Sequence, residues 1–436
     1  MLKALFAGAL ALAIPLVAHA QTPAPAGDQQ PPPEPQRRGL RVVWNDKPSL
    51  RAGSVLRVDL IGKFQWDARQ AGDEPPDSFE STEIQRARVG IEGEFLRIFD
   101  FNIEHELTER ELDGGTSANA WKDVYLDVDF GNAARVRLGK FKVPFGIDQL
   151  TSVANLDFVY RSLGSTNLAP ARDTGVMLYG ELGGGRFDYA VGGFRHDGDN
   201  ARSRRIAGAD ETGAARFRAA PFQREGASLL DQLELGAAVT MSALANPTEL
   251  PNGLRGRSVM SKYEFFEPLF VHGRRQRYEV DAEWRWRRVG ARAEYMDVRD
   301  TRDGQGFLNN DLPPARARSW FVSGAYVITG ERKNWPVTPR GEVGRGGFGA
   351  VEVVGRYERL RFDGPGGADE AFRHPRAETI LPSGERAVTW GINWYVNRFV
   401  KVQLHAIREQ LDDPERHPRP DGAAFWNAAF RLQCAL

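Results

Sequence analysis

The sequence predicts an all-β protein, a transmembrane antiparallel β-barrel of about 16 strands. Three observations predict it. Apolar and charged residues alternate with period two through most of the chain from Gly39 onward. Tryptophans such as Trp66, Trp121, Trp286, Trp320 and Trp394 recur near the ends of the alternating segments, on the apolar face. The last segment, AFWNAAFRLQCAL, is itself a strand pattern, which suits closure of a ring. Alternation puts successive side chains on opposite faces of a strand. A soluble sandwich alternates too, but a single one seldom extends this far. In a barrel only every second residue has to face lipid, so a chain with 27% charged residues can still live in a membrane.

Residues 1–20, MLKALFAGALALAIPLVAHA, have one lysine, an apolar run and a small-x-small ending at Ala18-His19-Ala20. That pattern predicts a cleaved export signal; the run is short for a retained membrane helix and Pro15 interrupts it. Residues 21–38 are proline-rich without periodic apolar positions and read as an extended tail. Residues 39–436 read as one barrel domain. The single cysteine, Cys434, permits no intrachain disulfide. Equal numbers of basic and acidic residues, 58 each, give no field for nucleic acid.

Strand by strand, the alternation sorts charge to one side. In VLRVDLIGKFQWD, Leu56, Val58, Leu60, Phe64 and Trp66 oppose Arg57, Asp59, Lys63, Gln65 and Asp67. In QRARVGIEGEF, Val89 and Ile91 oppose Arg86, Arg88 and Glu92. DVYLDVDF sets Val124, Leu126 and Val128 against Asp123, Asp127 and Asp129, and Val136 and Leu138 then oppose Arg135 and Arg137. YEVDAEWRWR sets Tyr278, Val280 and Trp284 against Glu279, Asp281, Glu283 and Arg285. Strict alternation carries Lys140 and Lys142 outward, which is costly at mid-membrane. Pro144 cannot donate to a ladder, so the strand is expected to end there, with the lysines at an interface or turned inward at the root of a loop. Strands of roughly ten residues with short turns and longer loops accommodate roughly 14 to 18 strands. Stretches 195–228, 299–318 and 363–386 read as loops.

Several segments, in order, resemble one family: RLGKFKVPFGID (137–148), YRSLGSTNLAPARDTGVMLYG (160–180), WFVSGAYVITGER (320–332), GFGAVEVVGRYERLRF (347–362) and WGINWYVNRFVKVQLHAIRE (390–409). Together they resemble the phosphate-selective porins of the O and P type, over most of residues 50–436. The resemblance implies a sixteen-stranded outer-membrane barrel, trimeric, with a long loop folded inward as a constriction. It places that loop at Gly146–Asp173, with Arg161 and Arg172 as its cations.

The function this implies is a water-filled channel for passive diffusion of small anions, phosphate or polyphosphate favoured. Arg57, Lys63, Arg86, Arg88, Arg135, Arg137, Lys142, Arg161, Arg172 and Arg285 are the pore-lining and anion-binding candidates. Guanidinium forks fit phosphate oxygens, and inward rings of such charge favour anions while still releasing them. Against this, carboxylates slightly outnumber cations on the same faces, so a general or differently selective pore stays open. An adhesin or receptor, or a barrel hydrolase, is the remaining alternative. No catalytic residue, metal site or cofactor is expected. There is no G-x-S-x-G and no zinc-type histidine pair. GRGGFG at 344–349 satisfies a dinucleotide pattern but precedes a strand rather than a helix, so it reads as a turn.

Overall fold

The computed structural model describes residues 39–44, 46–71, 82–108, 111–112, 116–117, 120–199, 211–223, 228–247, 250–260, 263–363, 374–412 and 424–436. The expected signal at 1–20 and tail at 21–38 lie outside them. Sixteen antiparallel strands close into a ring. In chain order they are β1 (Leu56–Ala71), β2 (Thr82–Phe95), β3 (Phe99–Glu106), β4 (Trp121–Asp129), β5 (Arg135–Lys142), β6 (Arg172–Leu182), β7 (Phe187–Phe194) and β8 (Thr212–Ala219). The second half is β9 (Leu233–Leu244), β10 (Gly273–Trp286), β11 (Val289–Arg302), β12 (Leu312–Val327), β13 (Ala350–Asp363), β14 (Ser383–Tyr395), β15 (Val400–Leu411) and β16 (Ala424–Ala435). Each strand pairs with the next, and β16 pairs with β1 from Asn427↔Ala71 to Ala435↔Lys63. Closure leaves no unpaired edge to aggregate or to meet hydrocarbon. The part of the β1 edge that β16 does not reach pairs with a short hairpin, Leu40–Trp44 and Pro48–Ala52, through Ser49↔Asp59 to Ala52↔Leu56.

The distribution of polarity is the reverse of a soluble protein. Val89, Ile91, Val176, Val280, Val322, Ile392 and Leu404 are exposed on the outer surface, whereas Glu104, Asp127, Glu279, Glu352 and Arg431 are buried. Surface apolar area of this extent is stable only in an apolar medium. Among the described residues no helix is long and apolar enough to cross a membrane; the strands do the crossing.

Two loop expectations need correction. The stretch 195–228 contains a full strand, β8. Its outward residues Gly213, Ala215, Phe217 and Ala219 include one bulky apolar side chain, so its alternation is faint. The stretch 299–318 is mostly strand, with β11 running to Arg302 and β12 starting at Leu312. Pro313 and Pro314 suggest a break, but they occupy the rim end of β12, beyond its paired residues Arg316 to Val327 on the β13 side. The stretch 363–386 is strand at both ends, at Asp363 of β13 and from Ser383 of β14, and its residues 364–373 lie outside the described residues. GRGGFG forms a turn before β13, with Gly349 at φ 85°, where an added Cβ would lie 2.3 Å from the Tyr395 carbonyl oxygen; no dinucleotide cradle exists there.

Candidate functional site

Between β5 and β6 the chain leaves the wall for residues 143–171 and lies along the inside of the barrel. Irregular backbone at membrane depth needs protein partners for its polar groups, and the inward faces of β10–β16 supply them. Lys401 Nζ donates to the carbonyls of Ala154 (3.0 Å) and Leu156 (2.8 Å). Asn393 and Gln403 donate to the Asp157 carbonyl at 2.9 and 3.0 Å. Arg356 donates to the Tyr160 carbonyl at 3.1 Å, and Arg277 to the Leu168 carbonyl at 2.8 Å. Acceptors face the other way: Glu358 takes the Leu163 N–H at 2.6 Å and His405 Nδ1 that of Val159 at 3.2 Å. His405 is thus a lumen residue that holds backbone.

Within the segment two short helices form, α1 (Ile147–Leu150) and α2 (Leu163–Asn167). Ser162 Oγ caps α2 by accepting from the Ser165 N–H at 3.1 Å. Gly146 precedes α1 at φ 78°, a left-handed conformation in which a larger residue would be strained. Lys142 caps the other end of α1, donating to the carbonyls of Gln149, Leu150 and Thr151 at 2.8, 2.9 and 3.0 Å. Lys140 donates instead to the Trp121 carbonyl at 2.8 Å. Arg161 is spent on the same turn: it donates to the carbonyls of Asp148 and Thr151. Burial pushes its pKa down to about 10, which still leaves it charged at neutral pH.

A second segment enters from the opposite rim. In the connection between β12 and β13, Lys333 Nζ sits 2.6 Å from Asp157 Oδ1 and 2.5 Å from Glu352 Oε1. Trp335 Nε1 donates to Asp157 Oδ2 at 2.7 Å. Burial alone would raise the Asp157 carboxyl, but the Lys333 ammonium beside it, with Arg292, holds it below its ordinary value. On the other side of the loop, Asp197 receives Arg275 at 2.6 Å and Arg277 at 2.5 and 2.8 Å.

The other half of the lumen is open. A cavity of about 490 Å³ lies between the inward faces of β1–β8 and the near side of the loop at Pro144, Leu150, Ser152 and Val153. Eight cations line it, Lys63, Arg88, Arg135, Arg137, Lys142, Arg172, Arg216 and Arg218, against three carboxylates, Asp123, Glu181 and Asp188. Most of these cations are paired to carboxylates set deeper in the wall. Arg137 grips Asp127 with two bonds of 2.7 Å, and its side chain is 22% exposed against 5% for Asp127. Lys63, 22% exposed, covers Glu104 at 2%. Arg216 bridges Glu279 and Asp281 at 2.7 and 2.5 Å. Only at Arg172 and Asp123 does the order reverse, with 12% against 19%. The carboxylates fix the guanidinium forks in place, and Lys63, Arg135, Arg137 and Arg218 are the more exposed of the cations.

Six of the ten residues singled out in the sequence therefore share this cavity: Lys63, Arg88, Arg135, Arg137, Lys142 and Arg172. The other four lie elsewhere. Arg57 sits at the short-turn rim near Asp59 and Glu94, 3.3 and 3.9 Å away. Arg86 donates to Gln65 Oε1 at 2.7 Å, Arg161 holds loop carbonyls, and Arg285 pairs with Glu234 at 3.3 Å. Among the described residues no group of histidine, cysteine and acidic side chains could hold a metal ion.

The family model described as phosphate-selective porin O and P matches residues 58–435. The chain belongs to this porin family. No curated protein matches it in sequence. Solved barrels resemble the porin in fold. The outer-membrane channel DcaP of Acinetobacter baumannii superimposes with a TM-score of 0.54 at 11% identity, covering 88% of this chain and 99% of its own. The anion-selective porin from Comamonas acidovorans gives 0.52 at 12% identity, covering 87% and 100%. The trimer form of OmpT from Vibrio cholerae gives 0.52 at 12% identity, covering 88% and 100%. The porin is an outer-membrane channel for diffusion of small solutes. Its lining includes two arginines that the sequence reading missed, Arg216 and Arg218, because β8 was expected to be loop; the alternation of Arg216, Phe217 and Arg218 was the available signal.

Proposed function

We propose that this porin passes small anions in preference to cations, phosphate among them. The observation that carries the reading is the surface of the open cavity, with eight cations and three carboxylates. Carboxylates set behind the forks lower the total field but are screened from a passing ion by the groups they hold. A narrow low-dielectric passage focuses the charge that does face it, and paired guanidinium ends bind phosphate oxygens without trapping them. The narrowing is assigned to residues 143–171. Arrival at the outer membrane by export through segment 1–20 belongs to the same proposal.

The test is the reversal potential across a planar bilayer under a salt gradient. It is expected on the anion side and larger at about 0.1 M salt than at about 1 M, because the screening length shrinks from roughly 10 Å to roughly 3 Å. A reversal potential on the cation side refutes the proposal. Arg172→Glu should move it toward cations, since this side chain lines the cavity. Arg161→Glu should act differently, unseating α1 and raising current noise, because its guanidinium faces carbonyls rather than the passage.

A homotrimer is part of the proposal, supported by the trimer form of the structurally similar OmpT. The protein–detergent complex, corrected for bound detergent, should show a protein mass near three chains; a monomeric mass rejects it.

A further inference from the structure

The open half of the lumen is backed by a buried apolar cluster whose edge reaches the cavity at two tyrosines and a methionine. Phe141, Val143, Met177, Phe194 and Ala214 form a buried cluster on the inward side of β5–β8, with Tyr125 and Tyr179 packed against it. In the filled half, inward apolar residues such as Val298, Leu360 and Phe362 are packed under loop residues including Met260, Phe265 and Leu269. The cluster near β5–β8 draws its members from the barrel wall and the loop's root. Three of the side chains concerned, Tyr125, Met177 and Tyr179, line the cavity.

These rings are fixed beside a fixed cation. Tyr179 Oη donates to Asp127 Oδ2 at 2.9 Å, and Tyr125 meets Phe141 edge to face at 6.4 Å. The Arg137 guanidinium lies 3.8 Å from the Tyr125 ring centroid and 5.2 Å from that of Tyr179. Its Nε and Nη2 both donate to Asp127 at 2.7 Å, while its Nη1 donates to no described residue. Stacking and a bidentate partner hold the fork rigid, with one N–H edge left over.

We propose that Arg137, Tyr125, Tyr179 and Met177 form a subsite for small carboxylates that carry an aromatic or apolar body. The carboxylate lies at Arg137 Nη1, and the body lies against the two tyrosines and the methionine. This rests on the anion-channel reading and deepens it. An inorganic anion gains only the cations of such a site, whereas an apolar carboxylate also removes surface from water on both sides.

The experiment uses the full chain in planar bilayers, with chloride conductance titrated by benzoate, acetate or inorganic phosphate. Benzoate is expected to half-block at a concentration roughly tenfold or more below that of acetate, as burial of a ring supplies at least the corresponding binding energy. Tyr125→Ser should abolish that ratio. Equal block by benzoate and acetate overturns the subsite, and so does a ratio that survives Tyr125→Ser. Either result is compatible with an anion-side reversal potential, so it is distinguishable from failure of the anion reading. If Tyr125→Ser does not assemble, Met177→Gln carries the same expected loss of ratio.

Discussion

Arg431→Leu is expected to destabilise the closed barrel by about 3–5 kcal/mol, the cost of leaving a buried charge without its partner. Arg431 on β16 donates from Nε and Nη2 to the two oxygens of Asp67 on β1, both at 2.7 Å. Its Nη1 donates to the Val159 carbonyl at 2.5 Å. The two side chains are 1% and 0% exposed, and they face each other in register across the closing seam. One substitution therefore strips a carboxylate of its cation, removes a bond from the inward loop and weakens the last strand pair. The loss should appear as a lower urea midpoint in detergent, followed by tryptophan fluorescence. Asp67→Leu should cost about as much. The pair Arg431→Leu with Asp67→Leu should recover a large share, because no charge is then left buried. Single variants within about 1 kcal/mol of the parent, or a double variant as weak as the weaker single, would refute the argument.

Asp197 is expected to give the largest acid-dependent effect. It lies between β7 and β8 and accepts from Arg275, Arg277 and Ser242. Burial raises its carboxyl, yet Arg277 and Arg275 together hold it well below the ordinary carboxylate range. A carboxyl depressed by folding contributes stability that is fully present above its unfolded pKa of about 3.9. That contribution is lost as pH falls from there through the folded value. Asp197→Asn should thus be less stable than the parent by a constant margin from pH 8 down to about 5. Below about pH 4 the margin should shrink by up to about 1.4 kcal/mol per unit. Unfolding midpoints at pH 7, 5 and 3 check this; a margin that widens on acidification would sink it.

The strands were legible because lipid demands an apolar residue at every second position and the lumen tolerates charge at the others. Val89 and Ile91 against Arg88 and Glu92 show it plainly. β8 escaped because lipid-facing Gly213 and Ala215 carry too little apolar surface to mark a period. Orientation is also all that alternation can supply. Arg356, Lys401 and Arg431 look like lumen cations of the same kind as Arg137, and their spacing is equivalent. What separates them is the path of residues 143–171 across the lumen. That path follows contacts between residues such as Val159 and Arg431, 272 positions apart, and no local pattern encodes it. Arg161 illustrates the same limit from the loop side, since a guanidinium beside serines and an asparagine suggests a bound anion until α1's carbonyls are found beneath it.

The inward loop has consequences in time as well as in space. Its carbonyls and amides are held by Arg277, Glu358, Asn393, Lys401, His405 and Arg431, all contributed by β10 to β16. Residues 143–171 thus precede, in order of synthesis, nearly everything that anchors them. Until the second half of the ring has paired, the loop lacks most of its bed, and closing so long a stretch of chain around it carries an entropic cost. The bed of the loop is therefore completed only by strands that follow it in the chain.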